Sequence, residues 1–227
     1  MIAFEKLPPE FQTPAVRPYY DILRKKQPSR VVKRVFDILV SLVMLVFLLI
    51  PIAVIAVAVR LDSKGPVLFR QERVTTYGRR FKIFKFRTMV VNAEALGTQV
   101  TTNDDCRVTK TGRFLRKYRL DELPQVFNVL GGSMSFVGTR PEVPRYVEQY
   151  APEYYATLLL PAGVTSLASI RYKDEEKLLS EAENADETYI QKVLPEKMKY
   201  NLDYTRDFGF FSDIKLMFQT VFEVAGS

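Results

Sequence analysis

The 227-residue sequence contains no histidine and no tryptophan, and its single cysteine is Cys106. Without histidine, the chain has no imidazole to act as a general base, to activate a nucleophile or to bind a metal. One cysteine excludes an intrachain disulfide framework and a cysteine-based metal site, and it suits a reducing cytoplasm. Acid–base chemistry must therefore use carboxylates, lysine or tyrosine, and a metal would need oxygen ligands, for which Mg²⁺ is the usual choice beside phosphate.

Acidic residues are fewer than basic ones, since 26 Asp and Glu stand against 33 Lys and Arg and leave a formal net charge of +7. Hydrophobic residues make up 47% of the chain, which is enough to build one or two packed domains. The excess of basic residues suggests an anionic partner, which can be nucleic acid, anionic lipid or a phosphorylated substrate. Charge alone does not choose among these partners.

The longest apolar run extends from Ile38 to Val59, and only Ser41 and Pro51 interrupt it. As a straight helix of about 22 residues, this run would just cross a hydrocarbon core. Pro51 removes a helical hydrogen bond, however, and basic residues that are typical of the cytoplasmic side flank both ends of the run. The pattern favours a helix that enters the membrane, breaks at Pro51 and leaves by the same face, and the alternative is a spanning helix with a kink.

The remaining pattern predicts an α+β fold that is mostly helical with a small β-hairpin. Residues 1–30 hold five prolines, and this pattern predicts a polar, loosely ordered extension. Residues 31–62 are expected to form the re-entrant membrane helix, and residues 63–227 a cytoplasmic catalytic domain at the membrane surface. The hairpin strands are expected from Val67 to Arg73 and from Arg80 to Arg87, around a turn at Tyr77-Gly78.

Three amphipathic helices are expected in the catalytic domain. The first begins at Asp121 and ends at Gly131-Gly132, because apolar residues recur there at helical spacing. The other two are marked by the tyrosines 146, 150 and 154 and by the apolar stripe from Ile214 to Phe222. Each of these two faces either covers the core or lies at the membrane interface.

The strongest local signal for chemistry is the pair Asp121-Glu122, which directly precedes Leu123-Pro124. Proline is tolerated in the first helical turn, so it fixes the two acids at a helix start. The helix dipole there favours an ionised carboxylate and attracts phosphate, and an ionised aspartate beside a metal-held phosphate can attack phosphorus. Spacing alone leaves open that Asp121 is an ordinary helix N-cap.

Basic residues surround this pair in the sequence and suit a diphosphate. Arg140 lies on a turn between Gly138 and Pro141, and its guanidinium offers the fork that phosphate oxygens match. A second group precedes the pair and comprises Arg113, Arg116, Lys117 and Arg119.

Five segments in order resemble the bacterial sugar transferase family, the monotopic polyprenol-phosphate phosphoglycosyl transferases. The resemblance runs from about Val31 to the C-terminus. Its motifs are Lys33-Arg34-Val35-Phe36-Asp37, the apolar segment with its proline, Phe84-Lys85-Phe86-Arg87-Thr88-Met89, Leu120-Asp121-Glu122-Leu123-Pro124-Gln125-Val126-Phe127-Asn128-Val129 and Met134-Ser135-Phe136-Val137-Gly138-Thr139-Arg140-Pro141.

The resemblance implies transfer of a sugar-1-phosphate from a UDP-sugar to polyprenyl (undecaprenyl) phosphate with release of UMP, as the first membrane step of bacterial surface-glycan assembly. It implies Mg²⁺, a covalent phosphosugar intermediate and a location on the cytoplasmic face of the inner membrane. Asp121 would be the nucleophile and a metal ligand, Glu122 would assist as a base or by positioning, and the phosphate-binding cations would be Lys85, Arg87, Arg116 and Arg140. No nucleic acid is expected as a partner, and a homodimer is left open.

The chain departs from the family pattern in three places. Thr139 stands where a proline is common, Ile50 replaces the usual small polar residue before Pro51, and the segment from Pro161 to Leu167 lacks the usual tryptophan. The last departure leaves the sugar unassigned.

Two other functions fit the residues less fully. One is a membrane-tethered module that binds nucleic acid or anionic lipid through the basic hairpin and uses no UDP-sugar. The other is a membrane diphosphatase that uses the same pair of acids and releases free sugar phosphate.

Overall fold

The computed structural model describes residues 1–93, 105–172, 178–179, 181–182 and 184–225. For residues 224 and 225 it describes the backbone alone. The α-helices are α1 (Arg17–Lys25), α2 (Gln27–Asp62), α3 (Lys110–Lys117), α4 (Gln125–Leu130), α5 (Pro144–Val147), α6 (Leu167–Arg171), α7 (Ala185–Thr188), α8 (Leu194–Asp207) and α9 (Phe210–Ala225). A π-helical turn, Tyr189–Val193, joins α7 to α8. The strands are β1 (Leu68–Val74), β2 (Arg80–Phe86), β3 (Met134–Val137) and β4 (Ala162–Thr165), so the predicted α+β class with mostly helical content is confirmed.

The predicted hairpin is confirmed as the antiparallel pair of β1 and β2, in register from Leu68 opposite Phe86 to Val74 opposite Arg80. Its turn places Tyr77 at φ 59° and Gly78 at φ 75°, and hairpin turns often require such left-handed positions. A second sheet pairs the parallel strands β3 and β4. A short strand around Ser133 to Val137 is expected from the sequence and corresponds to β3, whereas its parallel pairing with β4 was not predicted. These strands approach so closely at their ends that a Cβ on Gly163 would lie 2.2 Å from the backbone nitrogen of Gly138.

The first 30 residues are folded, so the prediction of a loosely ordered extension is wrong. Leu7, Phe11, Val16 and Leu23 are buried in the main core. The hydroxyl of Tyr19 donates to Glu153 at 2.6 Å and ties α1 to the segment that follows α5. There are two short 3-10 turns, Phe4–Lys6 and Pro9–Phe11, and the second begins with a proline. Such short pieces give no helical periodicity for sequence reasoning to detect.

Helix α2 runs for 36 residues without interruption and contains Pro51. Of the residues the structure describes, it forms the one helix that is long and apolar enough to cross a membrane by length and composition. Val46, Phe47 and Ile50 are 73 to 75% exposed, so this part of the helix offers an apolar surface without protein cover.

The N-terminal half of α2 is bound to α4 and α9 by polar side chains. Lys33 forms a buried ion pair with Asp213 on α9. Arg34 donates to the carbonyls of Val129 and Leu130 at 2.6 and 2.8 Å, and so satisfies carbonyls at the end of α4. The apolar contacts of this half with the main core include Val40 and Met44.

The C-terminal half of α2 packs on the same domain through a second apolar cluster. Val59 is buried there beside Phe86 and Leu115. The cluster is completed by Ile52, Ile55, Ala56, Val67, Leu68, Leu120 and Leu123. Both halves of α2 therefore contact one folded body, on either side of Pro51.

The two amphipathic patterns near the C-terminus have different outcomes. Tyr146 and Tyr150 are buried in the main core, and α5 ends at Val147, so the expected long tyrosine-bearing helix is absent from the described residues. On α9, by contrast, Phe218, Val221 and Phe222 are 62 to 75% exposed, while Leu216 is buried. This helix thus covers the core with one side and leaves an apolar face exposed.

Candidate active site

The Asp121-Glu122 pair lies in a 3-10 turn, Leu120–Glu122, directly before α4. Arg119 precedes this turn in the left-handed region at φ 53°, and Pro124 occupies the N-cap position of α4. The expected helix therefore begins four residues later than Asp121. At both helix starts the described structure shows no side-chain cap bond, so capping does not account for the position of Asp121.

Glu122 is held by two cations that are distant from it in the sequence. Lys85 Nζ, on β2, donates to Glu122 Oε1 at 2.7 Å. Arg140 Nη2, after β3, donates to the same oxygen at 2.8 Å. The three side chains are largely shielded from solvent, with exposed side-chain fractions of 20% for Lys85, 33% for Arg140 and 11% for Glu122. The structure thus brings three of the predicted site residues together.

The two acids differ in their electrostatic surroundings. Burial alone would raise the pKa of Glu122, but Arg140 and Lys85 hold this pKa well below its usual value, so the carboxylate is ionised. Burial lowers the pKa of Lys85, and Glu122 opposes that shift. For Asp121 the pKa is raised by burial, with Lys85 acting in the opposite direction and Glu122 adding to the rise. Desolvation thus opposes the ionised form of Asp121 that the helix start was expected to favour.

Arg116 reaches the site from α3, which is fixed against the end of β2. Arg116 Nε donates to Thr88 Oγ1 at 2.9 Å. Gly112 makes the close approach possible, because a Cβ there would lie 2.1 Å from the carbonyl oxygen of Thr88. The positive charge of Arg116 also lowers the pKa of Asp121, which places this cation in the electrostatic neighbourhood of the carboxylate.

Arg87 does not join this group, so its predicted role in phosphate binding is corrected. Its guanidinium is buried and donates to the carbonyls of Ser63 and Lys64, each at 2.7 Å, and to Val59 at 3.4 Å. Helix α2 ends at Asp62, so the carbonyls of Ser63 and Lys64 lie just past its C-terminal end. Successive residues of a strand point to opposite sides, but Arg87 lies just past the end of β2, where that rule no longer applies.

The loop that carries Arg140 is held by its backbone. Gly163 N donates to the carbonyl of Thr139 at 2.9 Å, and Arg73 Nη1 donates to the carbonyl of Pro141 at 3.0 Å. Val74 N donates to the carbonyl of Glu142 at 3.0 Å. The loop is thus joined to β4 and to β1.

Glu142 is a buried acid that sequence reasoning missed. Its carboxylate accepts from the hydroxyl of Tyr189 at 2.6 Å and forms an ion pair with Lys197 at 3.3 Å. Burial would raise the pKa of Glu142, but Lys197 and the Tyr189 hydrogen bond bring it below its usual value. The one available signal was its position directly after Arg140-Pro141, whereas nothing in the pattern marked Lys197.

A cavity of about 250 Å³ adjoins Glu122 and Arg140. Met44 of α2 forms part of its wall, so the cavity reaches the membrane helix. Its other lining residues are Arg119, Leu123, Gln125, Val126, Phe136, Val164, Thr165, Ser169, Ile170, Thr220 and Glu223. Sequence reasoning did not predict this cavity, because its walls come from six separate segments.

Residues suited to hold a metal without help are absent from the described part of the chain, which contains no group of three or more His, Cys, Asp or Glu side chains. Glu122 is already engaged by two cations. Asp121 is one carboxylate beside a cluster of cations, and Mg²⁺ in phosphate chemistry is commonly held by one or two carboxylates together with substrate oxygens. Asp121 therefore fits a metal that arrives with a diphosphate.

The comparison with known proteins agrees with the motifs. The model of the bacterial sugar transferase family matches residues 28–227, and the chain belongs to this family. It is 40% identical over 199 residues to the UDP-glucose:undecaprenyl-phosphate glucose-1-phosphate transferase of Klebsiella pneumoniae. The aligned region covers 86% of this chain and 40% of that protein.

Two further relatives show the same partial coverage. The protein of that name in Escherichia coli is 38% identical over 200 residues, covering 86% of this chain and 40% of the relative. The UDP-N-acetylgalactosamine-undecaprenyl-phosphate N-acetylgalactosaminephosphotransferase of Aeromonas hydrophila is 35% identical over 193 residues, covering 84% of this chain and 43% of the relative. The chain thus spans about two fifths of the length of each of these three relatives.

Proposed function

We propose that this chain is a phosphoglycosyl transferase, which moves a sugar-1-phosphate from a UDP-sugar to polyprenyl phosphate and releases UMP. The observation that carries the proposal is the cluster of Lys85, Glu122 and Arg140 beside Asp121, at a cavity that reaches the membrane helix. The names of the relatives describe this reaction with glucose or N-acetylgalactosamine as the sugar. The product lipid would begin the assembly of a bacterial surface glycan.

In the first half of the reaction, a carboxylate oxygen of Asp121 attacks the phosphorus that bears the sugar. The bond from this phosphorus to the bridging oxygen breaks, and that oxygen leaves with UMP. Asp121 suits this role because its carboxylate is partly desolvated, which makes an anion more reactive than it is in water. Arg116 and the cations around Glu122 would offset the charge of the diphosphate.

In the second half, a phosphate oxygen of the lipid attacks the phosphorus of the aspartyl phosphosugar. The bond to Asp121 breaks, and the carboxylate is regenerated while the lipid diphosphate sugar leaves. Neither half requires a proton to move if the carboxylate and the lipid phosphate enter ionised. The chemistry therefore has no obligatory use for histidine, which the chain lacks.

Glu122 acts in this scheme by positioning rather than as a base. A general base works best with a pKa near the working pH, and the pKa of Glu122 is held far below that. Its ion pairs with Lys85 and Arg140 instead fix the two cations at set distances from Asp121. The positively charged groups are therefore already in place before the diphosphate binds.

Mg²⁺ would be held by Asp121 together with oxygens of the substrate diphosphate. When bound, it would supply positive charge that neutralises the diphosphate and the leaving UMP.

The proposed location is the cytoplasmic face of the inner membrane, with α2 entering and leaving by the same side. The last core contact before Pro51 is Met44 and the first after it is Ile52, eight residues further on. At 1.5 Å per residue this interval is about 12 Å, whereas a hydrocarbon core is about 30 Å thick. A helix whose two halves contact the same domain across so short an interval is poorly suited to span.

The test of the function is release of UMP from a panel of UDP-sugars in membranes that contain the protein, with and without polyprenyl phosphate. We expect one or a few UDP-sugars to yield UMP together with a lipid-linked sugar phosphate. Free sugar phosphate without lipid product would indicate a diphosphatase instead. Failure to use any UDP-sugar, together with salt-sensitive binding of nucleic acid or anionic lipid, would favour the binding module.

A further inference from the structure

The cavity beside Glu122 and Arg140 is mostly apolar. Leu123, Val126, Phe136, Val164 and Ile170 line it, and these residues come from the segment before α4, from α4, from β3, from β4 and from α6. A pocket that binds a sugar needs several polar groups that can bond to hydroxyls. A wall of this composition is better matched to a hydrocarbon.

The hydroxyls in the cavity wall are bonded within the protein. Those of Thr165 and Thr220 bond to each other at 2.7 Å. That of Ser169 bonds to the hydroxyl of Ser166 at 2.8 Å. These pairings make the hydroxyls less available to a sugar, and they reduce the polarity of the surface that an apolar ligand would meet.

Two helices that contribute to the cavity wall, α2 and α9, also carry exposed apolar residues. Met44 in its wall is followed by the exposed Val46 and Phe47 on α2. Thr220 in its wall is followed by the exposed Val221 and Phe222 on α9. Apolar surface that suits a membrane is therefore present on two of the helices that border the cavity, although Glu223 of α9 also lies in its wall.

Two cations, Arg119 and Arg140, line the same cavity, and the acids Glu122 and Glu223 lie in its wall as well. Arg140 is turned toward Glu122, to which it donates at 2.8 Å. Arg119 is exposed and stands two residues before Asp121, in a left-handed conformation at φ 53° that non-glycine residues adopt infrequently. Such a conformation at a site is a pointer to function, and here it places a guanidinium at the cavity wall. An apolar pocket with cations suits a ligand with a phosphate head and a hydrocarbon tail.

We propose that this cavity binds the phosphate-proximal isoprene units of the lipid acceptor, and that Arg119 binds the acceptor phosphate. This inference rests on the proposed function, because it names where one of the two substrates of that reaction lies. The volume of about 250 Å³ is below the range of roughly 300–1,000 Å³ that is typical of sites for whole ligands. Only the first part of the lipid chain enters, and the remainder stays in the membrane along α2.

The test fills the cavity and measures each substrate separately. Val164→Phe adds a ring to the wall, and Val164→Ala at the same position removes volume instead. We expect Val164→Phe to lower kcat/KM for polyprenyl phosphate by about tenfold or more, while kcat/KM for the UDP-sugar stays within about twofold of wild type. Val164→Ala should lower the acceptor value by much less.

A second pair of variants tests the cation. Arg119→Ala should lower kcat/KM for polyprenyl phosphate by about tenfold or more, since it removes a charge-assisted bond to phosphate. Arg171→Ala removes an exposed arginine that does not line the cavity, and it should leave both values within about twofold. If the UDP-sugar value falls instead in the Val164→Phe or Arg119→Ala variant, the cavity serves the donor and the inference is wrong. Unchanged values for both substrates in both variants would also overturn it.

A measurement on the unaltered protein covers the case in which Val164→Phe fails to fold. Polyprenyl phosphate that carries a photoreactive diazirine on its first isoprene unit should label peptides that contain Val126, Val164 or Ile170. Unlabelled polyprenyl phosphate should compete, and UDP-sugar should not. If the wild-type protein releases UMP but labelling is confined to other peptides, the inference about the cavity is contradicted. If the protein releases no UMP, the result counts against the proposed function instead.

Discussion

At the scale of single residues, the site assigns different roles to two adjacent acids. Glu122 is ionised and engaged by Lys85 and Arg140, and this engagement orders the cations. Asp121 is the acid whose negative charge is disfavoured by burial. An ionised carboxylate with raised pKa is a better nucleophile than one stabilised by ion pairs, which suits Asp121 to the attack on phosphorus that we propose.

The raised pKa of Asp121 predicts an acid limb in the pH profile. Attack requires the carboxylate, so kcat/KM for the UDP-sugar should rise with pH through the pKa of Asp121, at a midpoint above the ordinary value of 3.8. Glu122→Gln removes a negative charge that raises this pKa, so its acid limb should move to lower pH while the maximal rate falls. UMP release measured from about pH 4 to about pH 8 reports both effects. An acid limb that does not move in Glu122→Gln would contradict the electrostatic coupling of the two acids.

The buried acid Glu142 predicts a large effect on stability. Glu142→Ala leaves Lys197 buried without its carboxylate and removes the acceptor of Tyr189, which should lower the free energy of unfolding by about 3–5 kcal/mol. Glu148→Ala, six residues further on and exposed, should change it by less than about 0.5 kcal/mol. Urea unfolding in detergent measures both variants. Equal stability of the two variants would show that the network around Glu142 contributes little.

The residues of the candidate site were named from motifs, whereas their contacts could not be predicted from the sequence. Asp121, Glu122, Lys85 and Arg140 were all predicted, and three of them meet in the structure. That Lys85 and Arg140 bind the carboxylate of Glu122 depends on how β2 and the loop after β3 approach α4. Arg87 shows the limit of this reasoning, because a basic residue within a motif looks the same whether it binds phosphate or the end of a helix.

At the scale of elements, α2 is bound to the catalytic domain at both ends. Arg34 on α2 satisfies carbonyls at the end of α4, and Arg87 satisfies carbonyls at the end of α2. These two arginines make the membrane helix and the site one structural unit.

Arg87→Ala should therefore affect stability more than catalysis. The loss of charge-assisted bonds to the carbonyls of Ser63 and Lys64 should lower the free energy of unfolding by about 2–3 kcal/mol, while kcat/KM for the UDP-sugar per folded molecule stays within about threefold of wild type. Arg140→Ala is the matched comparison, and it should lower that kcat/KM by about 100-fold because Arg140 acts at the site. A comparable catalytic loss in a stable Arg87→Ala variant would restore the role in phosphate binding that the sequence suggested.

The elements differed in how well the sequence predicted them. The hairpin was predicted with its turn, because Tyr77-Gly78 interrupts two strand-like runs. The parallel pair β3 and β4 was missed, because 24 residues separate their ends and parallel pairing leaves no local signal. The N-terminal turns were missed because proline indicates loops and short turns equally well.

At the scale of the whole molecule, α2 and α9 both carry exposed apolar residues and both contribute to the cavity wall. Phe47 on α2 and Phe222 on α9 are 73 and 75% exposed. Apolar surface of this extent on a protein marks an interaction site, and here it adjoins basic flanks of the kind that face anionic lipid. The proposed insertion into one leaflet would bring the lipid phosphate to Asp121.

This arrangement predicts which positions face the cytoplasm. In a Cys106→Ser background, Lys25→Cys and Lys64→Cys lie before and after α2 on exposed positions, and a membrane-impermeant maleimide should label both from the same side of sealed vesicles. Phe47→Cys should resist the reagent from either side, because it would lie in lipid. Labelling of the two lysine positions from opposite sides would show that α2 spans the membrane.

The covalent role of Asp121 is tested most directly by trapping. The protein is mixed with its UDP-sugar in the absence of polyprenyl phosphate, quenched, digested and analysed by mass spectrometry. We expect one sugar-phosphate adduct on the peptide that contains Asp121, release of UMP in equal amount, and loss of both in Asp121→Asn. An adduct on another residue, or UMP release that persists in Asp121→Asn, would contradict the account.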